Sequence, residues 1–470
     1  MVAIFSGKPN MTLPSTNSAA ARDAAFVFHP HSNLKAQAET PPIIMTGGSG
    51  VYIRDDQGNS YLESAASLGQ CSLGFSNERL AKAAYEAIST LGSIHSFRNI
   101  SNPYLIDLSE KLLSIAPTPM ARVMFQSSGS EANDTAVKLT WYYWAAMGKP
   151  QKRKIISRDG SYHGNTIITT ALNGNPATHL GCGFNFPELL KTDVTNYYRH
   201  GKPGETEEQF SQRLVDSLED LILREDPETI GAFLADITQA NSGGLLPPAG
   251  YWEKIQALLK KYDILLIADE VVTGFGRTGQ RWACEVYGVT PDMVSTAKAL
   301  AAGFQPISAL MLNERVWNVV RDESAKYGGF WHGYTWAGHP VACAVALETI
   351  KLYEDEDILG HIQEIAPFFQ EQVAALADHP LVGNYQGIGL IGGIDLTDDR
   401  EKRTVFGPES QLGARLTKAG IRNGLFMRLM GNARIHFSPP FIIEKDDIVE
   451  MVTRARRAMD EVNAELRADA

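Results

Sequence analysis

Asp263-Ile-Leu-Leu-Ile-Ala-Asp269-Glu270 is an apolar run bracketed by acids, and Ser295-Thr-Ala-Lys298-Ala-Leu300 follows it along the chain. The first stretch predicts a strand buried on both faces, as in a parallel sheet. Asp269 then stands at the carboxyl end of that strand, where open parallel sheets bind ligands. A carboxylate there is costly unless paired. It can hold a cationic heterocycle, or serve as one half of a structural ion pair with an arginine. Lys298 lies among small apolar residues, ahead of Ala301-Ala-Gly303. A lone lysine is ordinarily a surface residue. Desolvation in such a setting instead lowers its pKa and makes it a nucleophile and base, able to condense with an aldehyde.

Outward from these two segments the chain alternates between strand and helix patterns. Strands are predicted over 121–126, 153–157, 230–236 and 264–268, with helices over 131–147 and 252–262. This alternation implies a mainly parallel sheet covered on both faces. A hairpin signal spans 50–63, two β-rich runs around Gln57-Gly-Asn59. Residues 1 to about 25 read as peripheral. After residue 339 a long helix leads into a smaller α+β lobe, with strands near 389–396 and 434–437 and a last helix over 445–467. The expected division is therefore 1–75 as an amino-terminal segment contributing to the small domain, 76–338 as the large domain, and 339–470 as the small domain.

A chain of 470 residues exceeds one ordinary core, which fits two lobes. The net charge of −11 argues against a protein that tracks nucleic-acid phosphates. The four cysteines, Cys71, Cys182, Cys284 and Cys343, are scattered and form no Cys-x-x-Cys, as expected of buried thiols in a reducing compartment. No His-Glu-x-x-His occurs, so no catalytic zinc is expected. Val2 to Phe5 is too short for a secretory apolar core, and no run approaches the roughly 18 apolar residues of a membrane span. The expectation is a cytoplasmic protein with no membrane or nucleic-acid partner.

Ser127-Ser128-Gly129-Ser130-Glu131-Ala132-Asn133 lies where a strand gives way to a helix. Ser128 and Glu131 have capping-box spacing, as in many ordinary helices. Free N–H groups at such a helix start, with the helix dipole, also make a phosphate seat. Tyr162-His163-Gly164 follows the next strand, where an aromatic can stack on a planar cofactor or simply fill the core. Two segments match Gly-x-Gly-x-x-Gly: Gly274-Phe-Gly276-Arg-Thr-Gly279 and Gly387-Ile-Gly389-Leu-Ile-Gly392. Neither forms an immediate strand-to-helix turn, so nicotinamide binding is not expected. An acid that holds a ring nitrogen and a lysine that tethers an aldehyde are the two protein groups a pyridoxal-phosphate enzyme needs most.

Taken together, these segments resemble the class III aminotransferases of pyridoxal-phosphate fold type I, most closely the ω-transaminase branch that uses amines or ω-amino acids with pyruvate. The resemblance runs from about residue 30 to 460. It rests on Ser128–Asn133, Tyr162–Gly164, Asp269–Gly279, Lys298 and Gly333-Tyr-Thr-Trp-Ala-Gly-His-Pro340 in this order. It implies a large domain with a mainly parallel, seven-stranded type of sheet plus a smaller α+β domain. It implies that Lys298 carries the Schiff base and moves the proton, and that Asp269 holds the pyridinium nitrogen. Ser128, Gly129 and Ser130 would take the phosphate, Tyr162 would stack on the ring with His163 beside it, and Val271 would pack on the other face. Thr335 would reach the phosphate of the neighbouring subunit, with Tyr334 near that subunit's substrate, in a homodimer whose pairing into a tetramer stays open. Arg428, in Gly424-Leu-Phe-Met-Arg428, matches the mobile arginine that binds substrate carboxylates.

The implied activity is ping-pong transfer from an amine donor to a keto-acid acceptor, pyruvate in this branch. A pyridoxal-phosphate aminomutase, a decarboxylating transaminase and a non-catalytic cofactor-binding protein are the alternatives. The chain departs from the family at Asp236-Ile237-Thr238, where Glu-Pro-Val is usual, and at Phe304, where tyrosine is common. Gln70 stands where many relatives carry a pocket tryptophan, and Asn241 where a small residue is common. Gln70 and Asn241 together predict a polar, roomy pocket and a donor bulkier or more polar than β-alanine.

Overall fold

The computed structural model describes residues 18–37 and 40–469. Most of the peripheral amino-terminal stretch lies outside these residues; its described end includes the helix Ala19–Phe26, capped by the Ser18 hydroxyl. Seven strands form the central sheet, in the spatial order 122–126, 308–312, 293–296, 265–269, 230–236, 154–158 and 189–192. Ile230–Asp236, Leu265–Asp269 and Met293–Thr296 are buried at every position. They run parallel in register, with Asp236 opposite Asp269 and Asp269 opposite Ser295. Ser308–Leu312 is antiparallel to both of its neighbours. The carboxyl ends of the six strands other than Ser308–Leu312 therefore open on the same rim, and the Lys298 loop leaves from it.

Helix Gly129–Ala146 starts at that rim. Ser128 Oγ accepts from the Glu131 N–H at 3.2 Å, and Glu131 Oε2 accepts from the N–H groups of Ser128 and Ser127 at 3.2 and 2.7 Å. The capping box thus fixes the first turn, and an apolar flank from Ala136 to Trp144 buries the helix against the sheet. Helix Pro340–Asp355 is buried almost all round between the large domain and the helices Glu78–Thr90 and Pro103–Ser114, as its run of Val, Ala, Cys and Leu requires.

Two smaller sheets complete the molecule. Met45–Ser49, Tyr52–Asp55 and Ser60–Glu63 form an antiparallel meander, which Leu425–Phe426 extends by pairing in parallel with Ser60–Glu63. The other sheet is antiparallel, in the order 382–388, 391–396, 434–437 and 428–430. The two glycine-rich segments touch each other. Gly389 turns the hairpin with a φ of +55°, and a Cβ there would lie 2.4 Å from the Thr278 carbonyl carbon. Leu390 N–H donates to the Arg277 carbonyl at 3.0 Å. Gly389 thus lets its hairpin pack against the backbone of residues 277–279.

Candidate active site

Asp269 is 5% exposed and accepts three hydrogen bonds. Its Oδ2 accepts from Asn133 Nδ2 and from His163 Nδ1, both at 2.8 Å, and its Oδ1 accepts from the Val271 N–H at 3.1 Å. Asn133 comes from the capped helix and is itself fixed, since its Oδ1 accepts from the Ser295 hydroxyl at 2.7 Å. Three elements therefore aim one carboxylate beyond the rim, and none of its contacts is an arginine. His163 stands behind the carboxylate, and its Nε2 is buried without a partner.

The arginine pair weighed for Asp269 is made instead by its neighbour. Arg158 Nη2 meets Asp236 Oδ1 at 2.9 Å with both side chains buried. Burial pushes the Asp236 carboxyl up from its ordinary range, and the guanidinium beside it pulls the other way. The Tyr251 and Trp252 rings lie within 5.8 and 5.4 Å of the same guanidinium. The Asp236 departure is thus a buried ion pair one strand away from the chemistry.

Lys298 follows strand Met293–Thr296 with a φ of +46° and opens a 3-10 turn, Lys298–Ala301. Burial pushes its amine down to about 8; Arg428 acts in the same direction and Asp269 opposes it. Residues Ala66, Ser67, Leu68 and Gly69 all have φ between +46° and +82°. The Glu63 carboxylate holds this left-handed turn by accepting from the N–H groups of Ala65 and Ser67. A Cβ on Gly69 would lie 3.9 Å from Lys298 Cδ, whereas Gln70 is exposed. The residue facing the lysine is therefore Gly69, with Gln70 next to it in the chain. Ala, Ser and Leu give no sequence warning of these successive positive φ values.

The amides of Gly129 and Ser130 lie in the first helical turn, where no carbonyl precedes them in the helical ladder. A Cβ on Gly129 would approach the Val271 methyls at 3.0 and 3.1 Å, and one on Gly164 would collide with Ser130 at 2.4 Å. Ser130 Oγ accepts from the Asn165 N–H at 3.1 Å, tying the helix start to the Tyr162 loop. Tyr162 is half-buried, close enough to Arg428 and Asp269 to feel both charges. Tyr334 donates to the Glu131 carbonyl at 3.4 Å, and Thr335 is exposed.

Arg428 opens strand Arg428–Met430 and is turned inward. Its Nη2 donates to Asn241 Oδ1 at 3.0 Å, while its Nη1 is buried without a partner. Burial lowers its pKa, opposed by Glu63 and Tyr162. Asn241 therefore orients the arginine. Sequence reasoning missed the contacts of Asn133, Ser295 and Glu63. Asn133 sits one turn into a capped helix that starts at the rim, which was the available signal.

This set fits pyridoxal phosphate: a buried strand-end carboxylate for the ring nitrogen, an amine near neutrality for the aldehyde, and a glycine-bearing helix start for the phosphate. Among the described residues no group of histidines, cysteines or acids could hold a metal ion, and no helix is long and apolar enough to cross a membrane. Residues 34–459 match the family model for aminotransferase class-III. The chain is 44% identical over 419 residues to the chloroplastic gamma aminobutyrate transaminase 3 of Solanum lycopersicum, covering 89% of this chain and 80% of that protein. It is 42% identical over 465 residues to the mitochondrial gamma-aminobutyrate transaminase 1 of Oryza sativa subsp. indica, covering 97% and 90%. The structure of the omega transaminase from Pseudomonas jessenii in complex with PMP superposes with a TM-score of 0.94 at 40% identity, covering 96% of this chain and 99% of that one. An aminotransferase from Vibrio fluvialis in its PMP-bound form gives 0.93 at 35% identity, covering 97% and 100%. The chain belongs to the class III aminotransferases, pyridoxal-phosphate-dependent enzymes of fold type I that transfer amino groups.

Proposed function

We propose that this enzyme moves an amino group from a primary amine or ω-amino acid to an α-keto acid, with pyruvate as the acceptor, in two half-reactions at one site. The observation that carries this reading is Arg428, turned inward beside Tyr162 with its Nη1 buried and unpartnered. A carboxylate of donor or acceptor would complete it by a charge-assisted hydrogen bond. Relatives named as gamma-aminobutyrate transaminases support a donor that carries such a carboxylate.

When bound, pyridoxal phosphate supplies the aldehyde and the electron sink for exchange at the amine carbon. Lys298 would hold it covalently, and its Nζ, once released, would take the proton from that carbon as general base. An amine titrating at about 8 is partly unprotonated at neutral pH, as that role requires. Asp269 would keep the ring nitrogen protonated, Gly129 and Ser130 would bind the phosphate, and Tyr162 and Val271 would contact the ring. Exposed Phe97, Trp331 and Trp336, with Gly333 packed against the Phe97 ring, favour a homodimer in which Tyr334 and Thr335 reach the partner's site.

The test is steady-state kinetics of the holoenzyme with γ-aminobutyrate, β-alanine and an uncharged arylalkylamine, each against pyruvate. Parallel double-reciprocal lines and a preference for the carboxylate donors are expected. Turnover without a keto acid would favour an aminomutase instead. Intersecting lines would sink the ping-pong scheme.

A further inference from the structure

Arg428 does not stand alone on its sheet. Strands Arg428–Met430 and Arg434–Phe437 are antiparallel, and Arg428 pairs directly with His436. Directly opposite residues project to the same face at close range. His436 is 0% exposed, and neither Nδ1 nor Nε2 closes a hydrogen bond, although the Gly243 carbonyl lies beside the ring. A fully buried imidazole with both nitrogens unsatisfied calls for a reason. Its surroundings sharpen the point. Burial pushes the imidazole well below its ordinary range, and Arg428, Arg277 and Arg434 act in the same direction, so the ring is neutral. Its other cross-strand neighbour is Gly393, and a Cβ on Gly244 would lie 3.5 Å from His436 Nδ1. Loop 243–244 therefore packs against the ring, with the Gly243 carbonyl beside it and no closed hydrogen bond to either nitrogen. Two unpartnered donors, Nη1 of Arg428 and one N–H of His436, come from one register pair and face the same side.

We propose that His436 is the second half of the carboxylate seat and a specificity-determining residue for substrates that carry a carboxylate. A guanidinium N–H would take one oxygen and a neutral imidazole N–H the other. The neutral donor adds a directional hydrogen bond without burying a further cation among three arginines. This rests on Arg428 receiving the substrate carboxylate, as argued above.

The experiment compares the wild-type holoenzyme with His436→Phe, which keeps a ring and removes the donors, and His436→Gln, which keeps a donor. Calorimetry with propionate measures binding without turnover, and kinetics give KM for pyruvate and for an uncharged arylalkylamine. His436→Phe is expected to weaken propionate binding and raise the pyruvate KM by roughly tenfold or more, the size of one hydrogen bond to a charged group. The arylalkylamine KM should stay within about twofold, and His436→Gln should recover most of the propionate affinity. On an Arg428→Leu background the His436→Phe change should add less than it does alone, as coupled neighbours do. Equal losses on charged and uncharged substrates, or unchanged propionate affinity, would leave His436 a packing residue and overturn the proposal. If His436→Phe fails to fold, unchanged propionate affinity in both His436→Gln and His436→Leu overturns it equally. If Arg428→Leu itself leaves propionate and pyruvate untouched, the fault lies with the carboxylate reading of Arg428 and not with His436 alone.

Discussion

Asp236 and Asp269 end neighbouring parallel strands in register, opposite each other on the same rim, and both are buried. Their contacts differ in kind. Asp269 accepts from an amide side chain, an imidazole and a backbone N–H, whereas Asp236 is engaged by the Arg158 guanidinium and leaves Oδ2 without a partner. Position at a strand end therefore does not by itself make a carboxylate functional. A neighbouring guanidinium uses the charge of Asp236 for the fold. The contacts of Asp269 orient it without a fixed arginine, as the proposed role at a ring nitrogen requires.

The largest effect that could break this comparison is on turnover. Asp269→Asn should lower kcat by about a thousandfold, roughly 4 kcal/mol of barrier. Asp236→Asn should cost less than about tenfold in the same assay. Comparable losses in the two variants would show that the strand-end ion pair takes part in the chemistry after all. The order reverses for stability. Removing the Asp236 carboxylate as Asp236→Ala strands the Arg158 guanidinium in the interior and should destabilise the apoprotein by about 3–5 kcal/mol, read from denaturant midpoints. Asp269→Asn, which leaves no buried cation unpaired, should cost clearly less. One step back from the carboxylate, Asn133→Ala should lower kcat about tenfold, in line with the loss of one hydrogen bond to a charged group.

The smallest and sharpest test is a titration. The Lys298 amine of the apoprotein titrates at about 8, so the rate of covalent capture of added pyridoxal phosphate should rise with pH and level off above that value. Asp269 favours the protonated lysine, so Asp269→Asn should move the midpoint to lower pH. Arg428 disfavours it, so Arg428→Leu should move the midpoint up. Asp236→Asn should leave it in place. Borohydride trapping of the adduct at Lys298, followed by mass spectrometry, gives the rate in each case.

Much of this frame was legible in the sequence because it is written in local pattern. The all-apolar run before Asp269 predicted a buried strand, and Ser128 with Glu131 predicted a capped helix start; both are where they were expected. The alternation of strand and helix predicted a mainly parallel sheet. What escaped depends on contacts far apart along the chain. Ser308–Leu312 reads as one more buried strand, and nothing in Ser-Ala-Leu-Met-Leu shows that it runs antiparallel to both neighbours. The approach of Gly69 to Lys298 escaped because the turn at 66–69 takes its shape from Glu63 rather than from its own side chains. Arg428 was visible only through family likeness, since one cation between Met427 and Leu429 has no local signature. The inward pose that gives it meaning depends on Asn241, 187 positions away.

The pairing of Ser60–Glu63 with Leu425–Phe426 has a consequence for how the protein is made. Ser64 and Phe426, hydrogen-bonded at the end of this pairing, are 362 residues apart. At translation speeds of about 5–20 residues per second, the early strand waits on the order of 20–70 s for its partner to emerge. Throughout that interval its open edge is a surface on which a nascent chain can pair wrongly. Glu63 and the turn it holds over Lys298 gain their neighbouring strand only once residue 426 has arrived, so the catalytic pocket is among the last parts of the newborn polypeptide to close.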